Sequence, residues 1–310
     1  MIVEVKNLVK RYKDVLAVDN VNLAIEEGEI FGLLGPNGAG KTTTISILTG
    51  LVRSDSGEIK IFDKDLKTNE MEIKHQLGMV PQDIAVFDDL TAWENLSYFG
   101  KLYGLKGSML KERVEEALEF TGLVEKRDSY PKKFSGGMKR RLNIACAVMH
   151  HPKLIILDEP TVGIDPQSRN HILESIKKLN KLGSTVIYTS HYMEEVDEIC
   201  TKIAIMDHGR VIAKGTADEL KNFVAVDEKV TAELSSVNFT IVDNIKKIRG
   251  VKDCTITGKQ LVVISGKHSK NLGSIINAIS ETDSEILSLN AEKPTLEGVF
   301  LTLTGRKLRD

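Results

Sequence analysis

Gly35-Pro36-Asn37-Gly38-Ala39-Gly40-Lys41-Thr42 decides how this chain is read. The stretch satisfies the pattern G-x-x-x-x-G-K-[ST]. A strand-like run, Ile30-Phe31-Gly32-Leu33-Leu34, leads into it, and a helix-like stretch, Thr42–Leu51, leaves it. Glycines let a backbone wrap a chain of phosphates so that its N–H groups point inward. The following helix N-terminus adds positive potential. Lys41 is then placed to reach β- and γ-phosphates, and the Thr42 hydroxyl to ligate Mg²⁺.

Two further stretches carry chemistry of the same kind. Leu154-Ile155-Ile156-Leu157-Asp158-Glu159-Pro160 reads as a buried strand ending in two acids. Open α/β sheets bind ligands at the carboxyl ends of their strands, which puts both acids beside the phosphate loop. Asp158 can hold Mg²⁺ through its water shell, and Glu159 can orient or deprotonate an attacking water. Phe134-Ser135-Gly136-Gly137-Met138 precedes a helix-like stretch, Lys139–Met149. Ser135 suits the helix N-cap, and the two glycines expose backbone N–H groups as a second phosphate site. Two chains arranged head to tail could use both sites on one nucleotide.

With these motifs in order, residues 1 to about 220 resemble the nucleotide-binding subunit of an ABC transporter. Ser135-Gly136-Gly137 matches the family's signature motif, although Phe134 and Met138 stand where Leu and Gln are usual. The resemblance implies further roles. Gln82 matches the Q-loop glutamine, near Mg²⁺, and Val162-Gly163-Ile164-Asp165 matches the D-loop. His191 matches the switch histidine and Tyr12 the aromatic that stacks on adenine. Gly35, Pro36, Asn37, Gly38, Ala39, Gly40, Lys41, Thr42 and Thr43 would hold ATP of one chain against Ser135, Gly136 and Gly137 of another. Glu159, His191, Lys41 and Gln82 would serve hydrolysis, and Thr42, Gln82 and Asp158 the metal. Leu90–Leu96, Leu102–Leu105 and the tail Pro294–Gly305 narrow the resemblance to daunorubicin-resistance-type exporter ATPases.

Composition sets the frame. The 310 residues carry 42 Lys+Arg against 44 Asp+Glu, a formal charge of −2. That balance argues against binding nucleic acid by bulk charge. The longest run without Asp, Glu, Lys or Arg is Leu182–Met193, twelve residues. A membrane span needs roughly 18 or more. Met1–Val5 alternates like a strand and lacks the basic-then-apolar pattern of an export signal. The expectation is a cytoplasmic chain, peripheral on the inner face of the cell membrane. It would dimerise with its own copy or with a paralogous ATPase subunit, and serve a separate integral membrane permease. A soluble ABC-type ATPase of translation or DNA repair is the alternative. Cys146, Cys200 and Cys254 are far apart and read as reduced thiols.

The expected architecture has two parts. Residues 1–220 form an α/β P-loop ATPase domain with a mostly parallel sheet, an antiparallel N-terminal edge and a helical insertion at about 88–150. In the insertion, Phe87, Trp93, Tyr98, Phe99 and Tyr103 either build its core or line a groove for a helix of the membrane partner. Residues 221–310 read strand, helix, strand, strand, helix, strand, with a last helix at Thr295–Leu303. That order predicts a small α+β ferredoxin-like accessory domain.

Overall fold

The computed structural model describes residues 1–223, 227–236, 239–266, 269–292 and 295–305. Residues 224–226 of the junction and Pro294 of the tail motif lie outside them. The chain forms two compact units, Met1–Ala217 and a second beginning at Asp218.

In the first unit, β1 (Val3–Tyr12) and β2 (Val15–Ile25) form an antiparallel hairpin. After β3 (Ile30–Leu34) and α1 (Lys41–Leu48), β4 (Ser56–Ile61) and β5 (Lys64–Asp65) complete a four-stranded antiparallel sheet, β2-β1-β4-β5. The short helix α2 (Glu70–Lys74) leads to β6 (Leu77–Val80), a strand too short and too interrupted by Gly78 for its pattern to announce. Three helices follow: α3 (Ala92–Leu102), α4 (Gly107–Thr121) and α5 (Gly136–Val148). Thr91 and Glu94 form a capping box at the start of α3. Leu96, Leu110, Val114, Leu118 and Leu142 meet in a core of the helical insertion, joined by half-buried Trp93 and Phe99. Phe87 and Tyr98 stay exposed.

The remaining elements are β7 (Leu154–Asp158), α6 (Pro166–Lys181), β8 (Thr185–Ser190), α7 (Met193–Ile199), β9 (Lys202–Asp207) and β10 (Arg210–Gly215). The main sheet runs β10-β9-β3-β8-β7-β6, parallel except for β10. Strands β3, β7 and β8 are buried along their whole length, which explains the apolar runs Ile30–Leu34, Leu154–Leu157 and Val186–Tyr188 within them. Register then does the positioning. Leu34 pairs with Ser190 and Asp158 with Thr189, so the three carboxyl ends finish side by side. The phosphate loop, the acid pair and His191 leave the sheet from those ends.

Helix α8 (Ala217–Phe223) bridges the sequence boundary. The second unit has β11 (Glu228–Leu234), α9 (Phe239–Lys246), β12 (Val251–Thr257), β13 (Gln260–Ser265), α10 (Leu272–Ser280), β14 (Ile286–Glu292) and α11 (Leu296–Thr304). Its sheet runs β12-β13-β11-β14, antiparallel throughout, which is the ferredoxin-like arrangement. Val230, Ala232, Leu234, Leu261 and Val263 face Ile241, Ile245, Ile275 and Ile279 in its own core.

Candidate nucleotide site

Strand β3 ends at Leu34 because the next residues must turn, and Gly40 shows what that turn demands. Its φ is +101°, and a Cβ there would stand 2.4 Å from the Ala17 carbonyl oxygen. Only glycine fits, since other residues resist this backbone region. The loop lines a cleft of about 470 Å³ that also takes in Val15, Leu16, Ala17, Gln82, Glu159 and His208. The Lys41 side chain is 4 % exposed and folds back over the loop. Its Nζ donates to the carbonyl oxygens of Gly35 (2.7 Å) and Pro36 (3.2 Å) and lies 3.1 Å from Glu159 Oε1. The other carboxylate oxygen of Glu159 is 3.2 Å from His191 Nδ1. Phosphate loop, acid and histidine therefore form one continuous polar chain.

Asp158 sits just below. The Thr189 hydroxyl donates to Asp158 Oδ1 at 2.6 Å and accepts from the Glu159 N–H at 2.8 Å. Burial raises the Asp158 carboxyl above its ordinary value, while the Thr189 and Thr42 hydroxyls and Lys41 pull the other way. Thr42 itself is exposed at the mouth of the cleft. Ser135, Gly136 and Gly137 do not line the cleft. Ser135 caps α5 by accepting the Met138 N–H at 3.2 Å. Gly137 lies against α6, where a Cβ would meet Ser168 Oγ at 2.2 Å. Asp165 in turn caps α6 through the Ser168 N–H.

The comparisons agree with this geometry. The family model described as ABC transporter matches residues 18–162. The linearmycin resistance ATP-binding protein of Bacillus subtilis (strain 168) is 45 % identical over 309 residues, covering 99 % of each chain. The daunorubicin/doxorubicin resistance ATP-binding protein of Streptomyces peucetius is 41 % identical, covering 99 % of this chain and 94 % of its own. The chain belongs to the ABC transporter family. A solved dimeric ATP-binding cassette in a post-hydrolysis state, bound to ADP and phosphate, superposes with a TM-score of 0.64. It is 29 % identical and covers 69 % of this chain and 98 % of its own. As an ABC ATPase the chain binds and hydrolyses ATP, and the daunorubicin-type resemblance stands among its relatives.

Two features of this ABC ATPase are invisible in its motifs. Glu159 has φ +46°, a left-handed backbone on a non-glycine residue that lines the cleft. Glu195 on α7 is 3 % exposed and gathers the surroundings of His191. Its Oε2 accepts from Tyr188 (2.6 Å), Thr161 (2.8 Å) and Ser190 (3.2 Å), while Arg169 lies 3.3 Å from Oε1. Thr161 and Arg169 flank the Val162–Asp165 loop, so one carboxylate holds both of its ends. The available signal was periodic: Glu195 shares the buried face of α7 with Met193, Val196 and Ile199. Tyr12 is 44 % exposed at the end of β1, beneath Lys10 Nζ, and is not among the residues lining the cleft. Val15 to Ala17 and His208, which do line it, carried no motif.

Proposed function

We propose that this chain is the ATP-hydrolysing subunit of an exporter, working as an ATP-bridged pair of cassettes on the cytoplasmic face of the cell membrane. The observation that carries the reading is the Lys41–Glu159–His191 chain beside the phosphate loop. In each site, Gly35–Thr43 of one chain wraps the phosphates, and Ser135–Gly137 of the second copy, or of a paralogous subunit, closes over them. Lys41 leaves Glu159 for the β- and γ-phosphates. Glu159, freed and held by His191, orients and deprotonates the attacking water. His191 then steadies the γ-phosphate, and the remaining catalysis is positioning and neutralisation of charge.

Among the described residues, no group of three His, Cys, Asp or Glu side chains could hold a metal alone. That suits Mg²⁺, which commonly shares one or two protein oxygens with substrate phosphates. The Thr42 hydroxyl, the Asp158 carboxylate and the side-chain amide oxygen of Gln82 would supply such an oxygen set. The ion would neutralise phosphate charge there. No helix among the described residues is long and apolar enough to cross a membrane. In this reading the membrane-spanning path belongs to a separate permease. Leu51, Met71 and Leu102, each at least 60 % exposed, rim a groove of about 340 Å³ floored by Leu77, Met79, Phe99 and Tyr103. That groove takes an amphipathic helix of the permease. The resistance and export names of the relatives support outward transport.

ATP turnover of Glu159→Gln tests the assignment. The expected result is a loss of about a hundredfold or more in kcat with ATP still bound. Turnover at the parental rate would remove Glu159 as the base.

A further inference from the structure

Gln82 lies on a segment that its own side chains do not anchor. Gln82, Asp83, Ile84 and Ala85 are all exposed. The segment is held instead by the backbone, from buried side chains of the helical insertion. Arg140, on α5 five residues past Ser135, is 4 % exposed. Its guanidinium donates to the Pro81 carbonyl oxygen at 2.8 Å and to the Gln82 carbonyl oxygen at 2.5 Å. One turn further along α5, Asn143 Oδ1 accepts the Ala85 N–H at 3.2 Å. Asn95 of α3, fully buried, accepts the Phe87 N–H and donates to the Phe87 and Leu90 carbonyl oxygens.

Arg140 is an expensive way to fill this space. Its Nε is buried without a hydrogen-bond partner, and no carboxylate among the described residues pairs with the guanidinium. Burial pulls the guanidinium below its ordinary value, and Asp83 opposes it at longer range. A buried cation without an acid is costly, and an apolar side chain of similar volume would pack at less expense. What arginine alone supplies is a rigid planar fork that spans two successive carbonyls.

We propose that Arg140 is a positioning residue that couples the Ser135–Gly137 motif to Gln82. The guanidinium is rooted in the helix that Ser135 caps and grips the residue whose side chain enters the cleft. When Ser135–Gly137 of one chain engages nucleotide on the other, α5 carries that chain's own Gln82 with it. Each chain thereby reports occupancy of one ATP site to the other. The inference rests on the reading of Gln82 as a contact to the metal and γ-phosphate.

The test is a double-mutant cycle in ATP turnover on the full chain: parent, Arg140→Lys, Gln82→Ala and the pair. Arg140→Lys keeps the charge and loses the two-carbonyl fork. The expected result is a kcat lowered about tenfold or more with ATP affinity within about twofold, since small misplacements of a positioning group act on the chemical step. In the Gln82→Ala background the same change should alter kcat less than about twofold, because coupled residues are not additive. Equal factors in both backgrounds, or no effect in the parent, would overturn the coupling while leaving Gln82 in place. Parental turnover by Gln82→Ala alone would instead remove the reading of Gln82, and the coupling with it. If Arg140→Lys does not fold, Asn143→Ser, which releases only the Ala85 N–H, is read in the same cycle by the same criteria.

Discussion

Replacing Lys41 with methionine should do more than abolish turnover: it should unfold the nucleotide-free protein at a lower temperature. Lys41 and Glu159 side chains are 4 % and 6 % exposed and 3.1 Å apart. The substitution leaves the Glu159 carboxylate buried with only His191 beside it, and leaves the Gly35 carbonyl without its 2.7 Å donor. Breaking a buried pair from one side costs about 3–5 kcal/mol, and the remaining histidine points to the lower end. For a unit of this size each kcal/mol moves the melting temperature by roughly 2–4 °C, so Lys41→Met should melt about 6–12 °C below the parent. Trp93, the one tryptophan, lies in this unit and reports its unfolding. The decisive arm is Lys41→Met with Glu159→Gln. Removing both charges should recover at least half of the loss, because a neutral pair replaces a buried ion pair at little cost. A single variant that melts within about 2 °C of the parent, or a double variant that melts no higher than the single, would refute the reasoning.

Other expectations follow from burial. A carboxyl raised in the folded chain contributes its stability while protonated, complete below its unfolded value of 3.8 and lost as pH rises through the raised one. Asp158 is therefore a burden at neutral pH without nucleotide, and Asp158→Asn should raise the melting temperature at pH 7 while turnover collapses; a lower melting temperature contradicts this. His150 is stacked on Tyr103 at 3.5 Å and 6°, and burial pushes its ring down to about 4 from 6.5. A depressed histidine contributes fully above pH 6.5 and loses that contribution as pH falls toward 4, up to about 3 kcal/mol. His150→Phe keeps the stack, so its stability should decline less over that range than the parent's, as urea titrations at pH 7 and pH 5 would reveal.

Much of the fold was readable because its signals are local. The apolar runs of β3, β7 and β8, the 3.6-residue face of α4 and the order of elements in the second unit each depend on neighbours in sequence. β6 was not legible: four residues with a glycine at the second position carry no period. The hairpin reached further than its alternation suggested, since β1 runs to Tyr12 through several register shifts. Irregular pairing of that kind breaks the two-residue repeat on which the reading depended. In the site, Lys41, Asp158 and Glu159 were legible because a phosphate-binding turn and the end of a buried strand tolerate few residue types. Arg140 and Glu195 were not, for their partners lie up to 59 and up to 34 positions away.

The sequence by itself determined the residue types of the proposed site: a glycine loop, a lysine and a hydroxyl directly after it, and acids at the end of an apolar strand. These follow from backbone sterics and side-chain type, which are properties of a few adjacent residues. Only the tertiary structure decided which groups touch. Parallel register brought Thr189 against Asp158 and His191 against Glu159, and placed Lys41 on that same carboxylate in a low-dielectric interior. Packing of the helical insertion set Arg140 on the backbone of Gln82. Those contacts join residues far apart in the chain, and their strength comes from the exclusion of water that the assembled fold alone provides.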